Sequence, residues 1–153
     1  MVADSAADHR AAIAARLSGY VRVPISRPGL RASVAVCVLL RDGVPGLLIT
    51  RRATGLRRHS GQWALPGGSR EPGESVEETA LRELREETGV VVAPDEVLGV
   101  LDDFATRSGF LITPVVVWGG PARFVYHGVA PLKDAAHALT GAARINLTFR
   151  KVY

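Results

Sequence analysis

Apolar residues in this chain recur at two spacings. From Ser33 to Leu40 they run almost unbroken (SVAVCVLL), long enough for a buried strand and too short to span a membrane. Gly46 to Thr50, Val97 to Phe104 and Leu111 to Trp118 are runs of the same kind, and Asp42-Gly43 predicts a tight turn between the first two strands. Gln62 to Leu65 predicts one more short strand, stopped by Pro66-Gly67-Gly68. Two segments carry helical spacing instead. Residues 9–18 (HRAAIAARLS) are rich in alanine, with Ile13 and Leu17 on one face, and predict a short amphipathic helix. Val76 to Thr88 predict a second, with Ser75 as N-cap, Glu78 completing a capping box, and Gly89 as a left-handed C-terminal cap. Pro24, Pro28 and Gly29 make Arg22–Arg31 a connector, and Arg51–Gly61 reads as a polar, basic loop. Arg123–Val129 and Arg144–Arg150 look like two further strands, and there is no internal repeat.

Length and composition bound the answer without choosing it. With 153 residues, 47% hydrophobic and 22% charged, the chain suits one globular core. The start (MVADSAADHR) lacks the basic and apolar regions of a signal peptide, so a cytoplasmic location is expected. The single cysteine, Cys37, lies inside the longest apolar run and reads as a small buried hydrophobe. The formal charge of +4 is uneven: residues 118–153 hold five cations (Arg123, Lys133, Arg144, Arg150, Lys151) against one acid, Asp134. That stretch accounts for the whole excess and contains both lysines, which marks a boundary near Trp118 and points to neither a nucleic acid nor a membrane as partner of residues 1–117.

The informative segment is GSREPGESVEETALRELREETGV, Gly68 to Val90. Advancing 100° per residue from Val76 gathers Val76, Ala80, Leu81 and Leu84 on one face. Glu77, Glu78 and Arg85 fall on the far side, whereas Glu83 and Glu87 fall at the border of the apolar face, with Glu86 close by. Acids at a half-buried border are costly unless paired, and carboxylates at i, i+3 and i+4 repel one another. A hard divalent cation relieves both problems, since Mg²⁺ takes carboxylate oxygens and also binds substrate phosphates. A solvated acidic helix with Arg82 and Arg85 as partners satisfies the same spacing. Pro66-Gly67-Gly68 just upstream lets the backbone pass close to a metal or phosphate, and Glu74 can reach Arg82 to tie loop to helix.

This segment resembles the Nudix box: Gly, five residues, Glu, seven residues, Arg-Glu, an aliphatic, one residue, Glu-Glu, one residue, Gly, an aliphatic. Gly68, Glu74, Arg82, Glu83, Leu84, Glu86, Glu87, Gly89 and Val90 fill every defined position. The resemblance implies an α/β/α sandwich with a mixed sheet, and a hydrolase of pyrophosphate bonds. It implies that Glu83, Glu86 and Glu87, with the backbone at Gly68, bind Mg²⁺ or Mn²⁺, and that Glu74, Arg82 and Gly89 are structural. The general base stays open between Glu86 and Glu83.

Upstream, LITRRATGLRRHSGQWALPGG resembles the signature of coenzyme A pyrophosphatases within the Nudix superfamily. Leu48, Thr50, Arg52, Ala53, Arg57, Gly61, Pro66, Gly67 and Gly68 match it, while Ile49 and Leu65 replace a leucine and a phenylalanine. Coenzyme A carries a 3′-phosphate besides its pyrophosphate, and Arg51, Arg52, Arg57 and Arg58 supply guanidinium groups of the kind that grip phosphate. The implied substrate is a nucleotide of this type, coenzyme A or an acyl-CoA, cut to 3′,5′-ADP and a 4′-phosphopantetheine. ADP-ribose and oxidised nucleotides stand as alternatives.

The resemblance covers residues 28–118 and then changes. WGGPARFVYHGVAPLKDAAHALTGAARINLTFRKV resembles the C-terminal end of AlkB-type Fe(II)/2-oxoglutarate dioxygenases, with His127 in the place of an iron ligand and Arg144 and Arg150 in the place of co-substrate arginines. Iron in that role needs a second histidine and a carboxylate, and no His-x-Asp pair occurs in the chain. The expectation is a Nudix domain over 1–117 with an atypical C-terminal segment, 118–153, packed on it. The junction falls in VVVWGGPA, a string that suits both families. Strands there would extend the sheet or offer an edge for a homodimer, and a hybrid of this kind has a second reading as a catalytically impaired chain whose tail serves assembly or has no role.

Overall fold

The structure is a computed structural model that describes residues 2–51, 63–121 and 146–151. Arg52, Arg57, Arg58, His127, Arg144 and the expected strand Arg123–Val129 lie outside the described residues. The chain forms helix α1 (Val2–Ser18), strands β1 (Leu30–Arg41), β2 (Val44–Arg51), β3 (Trp63–Ala64) and β4 (Gly67–Ser69), helix α2 (Val76–Thr88), then β5 (Val97–Val100), β6 (Phe104–Ala105), β7 (Phe110–Pro121) and β8 (Asn146–Lys151). No described helix is long and apolar enough to cross a membrane.

One mixed sheet organises these elements. The two longest strands, β1 and β7, run parallel at its centre, and every other pairing is antiparallel. The β1–β2 hairpin closes through Asp42 and Gly43 at φ 51° and 76°, the double positive-φ geometry whose twist matches paired strands. β7 runs on through Trp118 to Pro121 alongside β1, and β8 pairs with β2 from Gly46–Lys151 to Arg51–Asn146.

Side-chain alternation along β1 splits the core in two. Ala35, Cys37 and Leu39 meet Val115, Val117 and, from α2, Ala80 and Leu84. Val38 and Leu40 point the other way and pack with Trp118, against which Ala6 and Ile13 of α1 are laid. Helices therefore cover both faces, which is the α/β/α sandwich with a mixed sheet that the resemblance implied. Burial of Cys37 pushes its thiol up to about 12, so it stays neutral and serves as packing.

Four elements differ from the expectation. Helix α1 starts at Val2 rather than residue 9, because Ala6 gains burial against the Trp118 cluster that no local signal reveals. Of the expected strand Gln62–Leu65, Trp63 and Ala64 pair with Arg51 and Thr50 of β2 and Leu65 falls outside the strand, while Gln62 lies outside the described residues. Pro66-Gly67-Gly68 does not end the sheet: Gly67–Ser69 forms β4 along Ala32–Val34. A Cβ on Gly67 would stand 2.4 Å from the Ser33 carbonyl oxygen, so glycine there permits the pairing. The expected strand Val97–Phe104 breaks at Leu101–Asp103, since both aspartates hold the Tyr20–Arg31 connector, Asp103 from a buried position and Asp102 from an exposed one.

That connector is pinned mainly by Asp103, whose side chain is fully buried. Its carboxylate accepts from Arg22 Nη2 (2.6 Å), Thr113 Oγ1 (2.7 Å), the Ile25 N–H (2.9 Å) and Arg31 Nη1 (3.3 Å). Burial pushes its pKa up, but the Arg22, Thr113 and Ile25 donors outweigh this and bring it down to about 2. A depressed carboxylate stabilises the fold above its unfolded pKa, and the contribution fades as pH falls from 3.8 toward 2. Asp103→Asn is expected to cost about 1.5–3 kcal/mol, because it removes the charged acceptor that Arg22 and Arg31 share, and to flatten the acid limb of unfolding in that window. Urea melts of both proteins between pH 2 and 7 measure this.

Candidate active site

The acidic segment is carried by α2, which is capped at both ends. Ser75 Oγ accepts from the Glu78 N–H at 3.1 Å, and the Ser75 N–H donates to Glu78 Oε2 at 2.7 Å, a complete capping box. Gly89 ends the helix at φ 74°, a left-handed conformation that disfavours side chains, and donates its N–H to the Arg85 carbonyl. With both ends fixed, the inner face is decided by spacing. Thr79, Ala80 and Leu84 are fully buried, Glu83 and Glu87 lie at the half-buried margin, and Glu86 is exposed.

Arg82 ties this helix to the loop before it. Its Nε donates to Glu74 Oε1 at 2.7 Å, and Nη2 to Glu74 Oε2 at 3.1 Å and the Ser69 carbonyl at 3.0 Å. Its third nitrogen, Nη1, reaches Glu83 Oε1 at 3.0 Å and Glu86 Oε2 at 3.2 Å. Glu74 also accepts from the Glu71 N–H (3.0 Å) and from Thr79 Oγ1 (2.9 Å). Thr79 is a partner that sequence reasoning missed, although its place on the inner arc beside Ala80 marks it as a polar group needing one. The Arg82 hydrogen bonds, with help from the Glu71 N–H, hold the Glu74 carboxyl down to about 2. Glu74 in turn raises the Arg82 guanidinium above its ordinary value.

Glu83 rests on the backbone of β4. A Cβ on Gly68 would meet Glu83 Oε1 at 2.2 Å and Oε2 at 2.8 Å, so the carboxylate fills the space that a side chain at position 68 would occupy. Only 15% of the Glu83 side chain is exposed, against 52% for Glu86. Glu87 leans the other way, toward β2, with Oε2 3.5 Å from Thr50 Oγ1. Thr50 also donates to the Ala64 carbonyl at 3.3 Å, and was legible only as a motif position. The structure thus brings Gly68, Glu74, Arg82, Glu83 and Glu86 together and sends Glu87 to a neighbouring strand. Among the described residues no three carboxylate, histidine or cysteine side chains converge on one centre. Like charges on one helix repel, and Arg82 draws two of the three aside. Arg51 ends β2 opposite Trp63, at the margin of this region.

The donor set still suits a hard divalent ion. Glu83 accepts only from Arg82 among the described residues, which leaves most of its lone pairs open beside the glycine backbone. Among the described residues the donors here are oxygens, with no thiol or imidazole, as Mg²⁺ and Mn²⁺ prefer.

Comparisons with known proteins bear on the family and the fold. Residues 29–142 match the family model of the NUDIX domain, a span that runs past Trp118. A Yersinia enterocolitica protein named uncharacterized Nudix hydrolase NudL is 42% identical over 98 residues, covering 63% of this chain and 49% of that protein. Its namesake in Pectobacterium atrosepticum is 45% identical over 87 residues, covering 56% and 45%. The chain therefore spans about half the length of these relatives. Among solved structures, the MutT protein of Methanosarcina mazei shares the fold with a TM-score of 0.52 at 24% identity, covering 83% of this chain and 80% of that one. A MutT/nudix family protein of Enterococcus faecalis gives 0.53 at 23% identity, covering 63% and 39%.

Glu74→Gln removes a charged acceptor from Arg82 and is expected to destabilise the chain by about 2 kcal/mol at pH 7. The difference from the unchanged protein should shrink as pH falls from 4.5 toward 2, where Glu74 itself protonates. Thermal melts of both proteins across that range measure it.

Proposed function

The chain belongs to the NUDIX family, and on that premise we propose that it hydrolyses the pyrophosphate bond of a nucleoside diphosphate derivative with the help of Mg²⁺ or Mn²⁺, its substrate being coenzyme A or an acyl-CoA. The observation that carries this reading is the Glu83 carboxylate laid on Gly68, half-buried and coupled through Arg82 to Glu86. Glu83, Glu86 and Glu87, with the backbone at Gly68, are the residues that would hold the ion. When bound, the metal supplies positive charge to the pyrophosphate and acidity to the attacking water.

The remaining work falls to the chain. Arg82 and Glu74 keep the helix edge aligned with β4, so the carboxylates stay in place as the substrate arrives. Glu86 is the more exposed of the two candidate bases, which suits a group that takes a proton from water, and Glu83 is the alternative. Arg51, Arg52, Arg57 and Arg58 are assigned to the substrate phosphates, including the 3′-phosphate of coenzyme A. Residues 118–153 are read as part of the same domain, supported by the pairing of β8 with β2. The site of action is assigned to the cytoplasm.

Incubation of the chain with coenzyme A, ADP-ribose and nucleoside triphosphates, with and without Mg²⁺ or Mn²⁺, tests the proposal by product mass. The expected products are 3′,5′-ADP and 4′-phosphopantetheine, formed only with metal. No metal-dependent cleavage of any substrate would overturn the hydrolase reading, and cleavage of ADP-ribose or triphosphates alone would overturn the substrate assignment. Glu86→Gln is expected to lower kcat by about 10²–10⁴-fold. Dephospho-coenzyme A, which lacks the 3′-phosphate, should show a KM about 10-fold or more higher than coenzyme A, the loss of a charge-assisted contact.

A further inference from the structure

Among the described residues, Ser33 Oγ is the only buried hydroxyl without a hydrogen-bond partner. Ser33 is 1% exposed, and a buried donor left unmade costs about 1–3 kcal/mol. For packing alone, alanine at this position would be neutral or better.

Its place in the sheet supplies a partner. Ser33 is in register with Gly68 across the antiparallel β1–β4 pair, and with Thr113 across the parallel β1–β7 pair. Residues in register point to the same face. That face is the one under α2, because Ala35 and Cys37, in the same alternation, pack with Ala80 and Leu84. The Glu83 carboxylate occupies the space a Cβ of Gly68 would take, and so stands one strand across from Ser33 on the face to which its side chain points. Cβ positions in register are about 5 Å apart. One Cβ–Oγ bond and one hydrogen bond of about 2.7 Å nearly close that span. In this structure Glu83 Oε1 accepts from Arg82 Nη1, and Ser33 Oγ has no partner.

We propose that Ser33 is a positioning residue for Glu83: its hydroxyl donates to the Glu83 carboxylate once that carboxylate turns from Arg82 to a divalent cation. The proposal rests on the metal-binding reading of Glu83 given above. A donor behind a ligating carboxylate fixes which oxygen faces the ion, and loss of such a partner costs about 10–100-fold in metal affinity. Thr113, on the far side of Ser33, donates to Asp103 at 2.7 Å and makes no hydrogen bond with Ser33 Oγ, which leaves the Ser33 proton unused.

Mn²⁺ binding to the full chain, followed by titration calorimetry without substrate, tests this on the unchanged protein, Ser33→Ala and Ser33→Thr, with the Tm of each metal-free protein measured alongside. The expected result is Mn²⁺ affinity at least about 10-fold weaker in Ser33→Ala, with its metal-free Tm unchanged or raised. Affinity in Ser33→Ala equal to that of the unchanged protein overturns the role of Ser33 and leaves the metal reading intact. If Ser33→Ala loses both affinity and Tm, Ser33→Thr decides: restored affinity supports the hydroxyl, and affinity as weak as in alanine overturns it. An unchanged protein that binds no Mn²⁺ overturns the metal reading and the role of Ser33 together.

Discussion

The guanidinium of Arg82 is the interaction on which the acidic edge of α2 depends. Three carboxylates within five residues on one side of a helix repel, and two of them sit at a half-buried margin where solvent screens little. Arg82 answers that with a planar fork: one edge is committed to Glu74 and the Ser69 carbonyl, and the remaining nitrogen touches Glu83 and Glu86. A lysine would offer the charge but not the fixed geometry. The consequence is an asymmetry between the acids. Glu74 is fully engaged and strongly acidified, whereas Glu83 and Glu86 are each held by a single nitrogen that a cation can replace.

That fork works only because β4 lies close beneath the helix. Gly67 and Gly68 have no side chains to hold β4 off β1 or to push Glu83 away. The two glycines therefore do different jobs. Gly67 allows a strand pairing, since the obstacle to any Cβ is backbone of Ser33 and Val34, and Gly68 makes a resting place for a carboxylate. The same close approach buries Ser33 beside that carboxylate, which joins the sheet's interior to the chemistry at its edge.

A second polar centre keeps the sheet in shape at the opposite side. Asp103 draws Arg22, Arg31, Thr113 and the Ile25 N–H around one buried carboxylate and so fastens the connector between α1 and β1. It lies in a break between β5 and β6 that apolar patterning could not anticipate. The residues around it, Leu101 to Phe104, read as strand by composition. What interrupts them is the need of one buried carboxylate, Asp103, for donors, while the exposed Asp102 beside it accepts from the Val23 N–H.

Much of this molecule was legible in the sequence because it depends on neighbours along the chain. The bounds of α2, its capping box, the left-handed Gly89 and the Asp42-Gly43 turn are local properties of backbone and side chain, and the structure repeats each. The marginal placement of Glu83 and Glu87 followed from helical geometry, as did the reach from Glu74 to Arg82. Tertiary structure decided the rest. Strand β4 exists because β1 offers an edge to two glycines, and α1 extends to Val2 because Ala6 finds Trp118. Thr50 meets Glu87, and Ser33 meets Gly68, across pairings between segments more than thirty residues apart. Register across a sheet is set by which strands pair, and no periodicity within one segment carries that information. The sequence by itself determined which carboxylates share the edge of α2, and the sheet determined where each of them turns and what stands behind it.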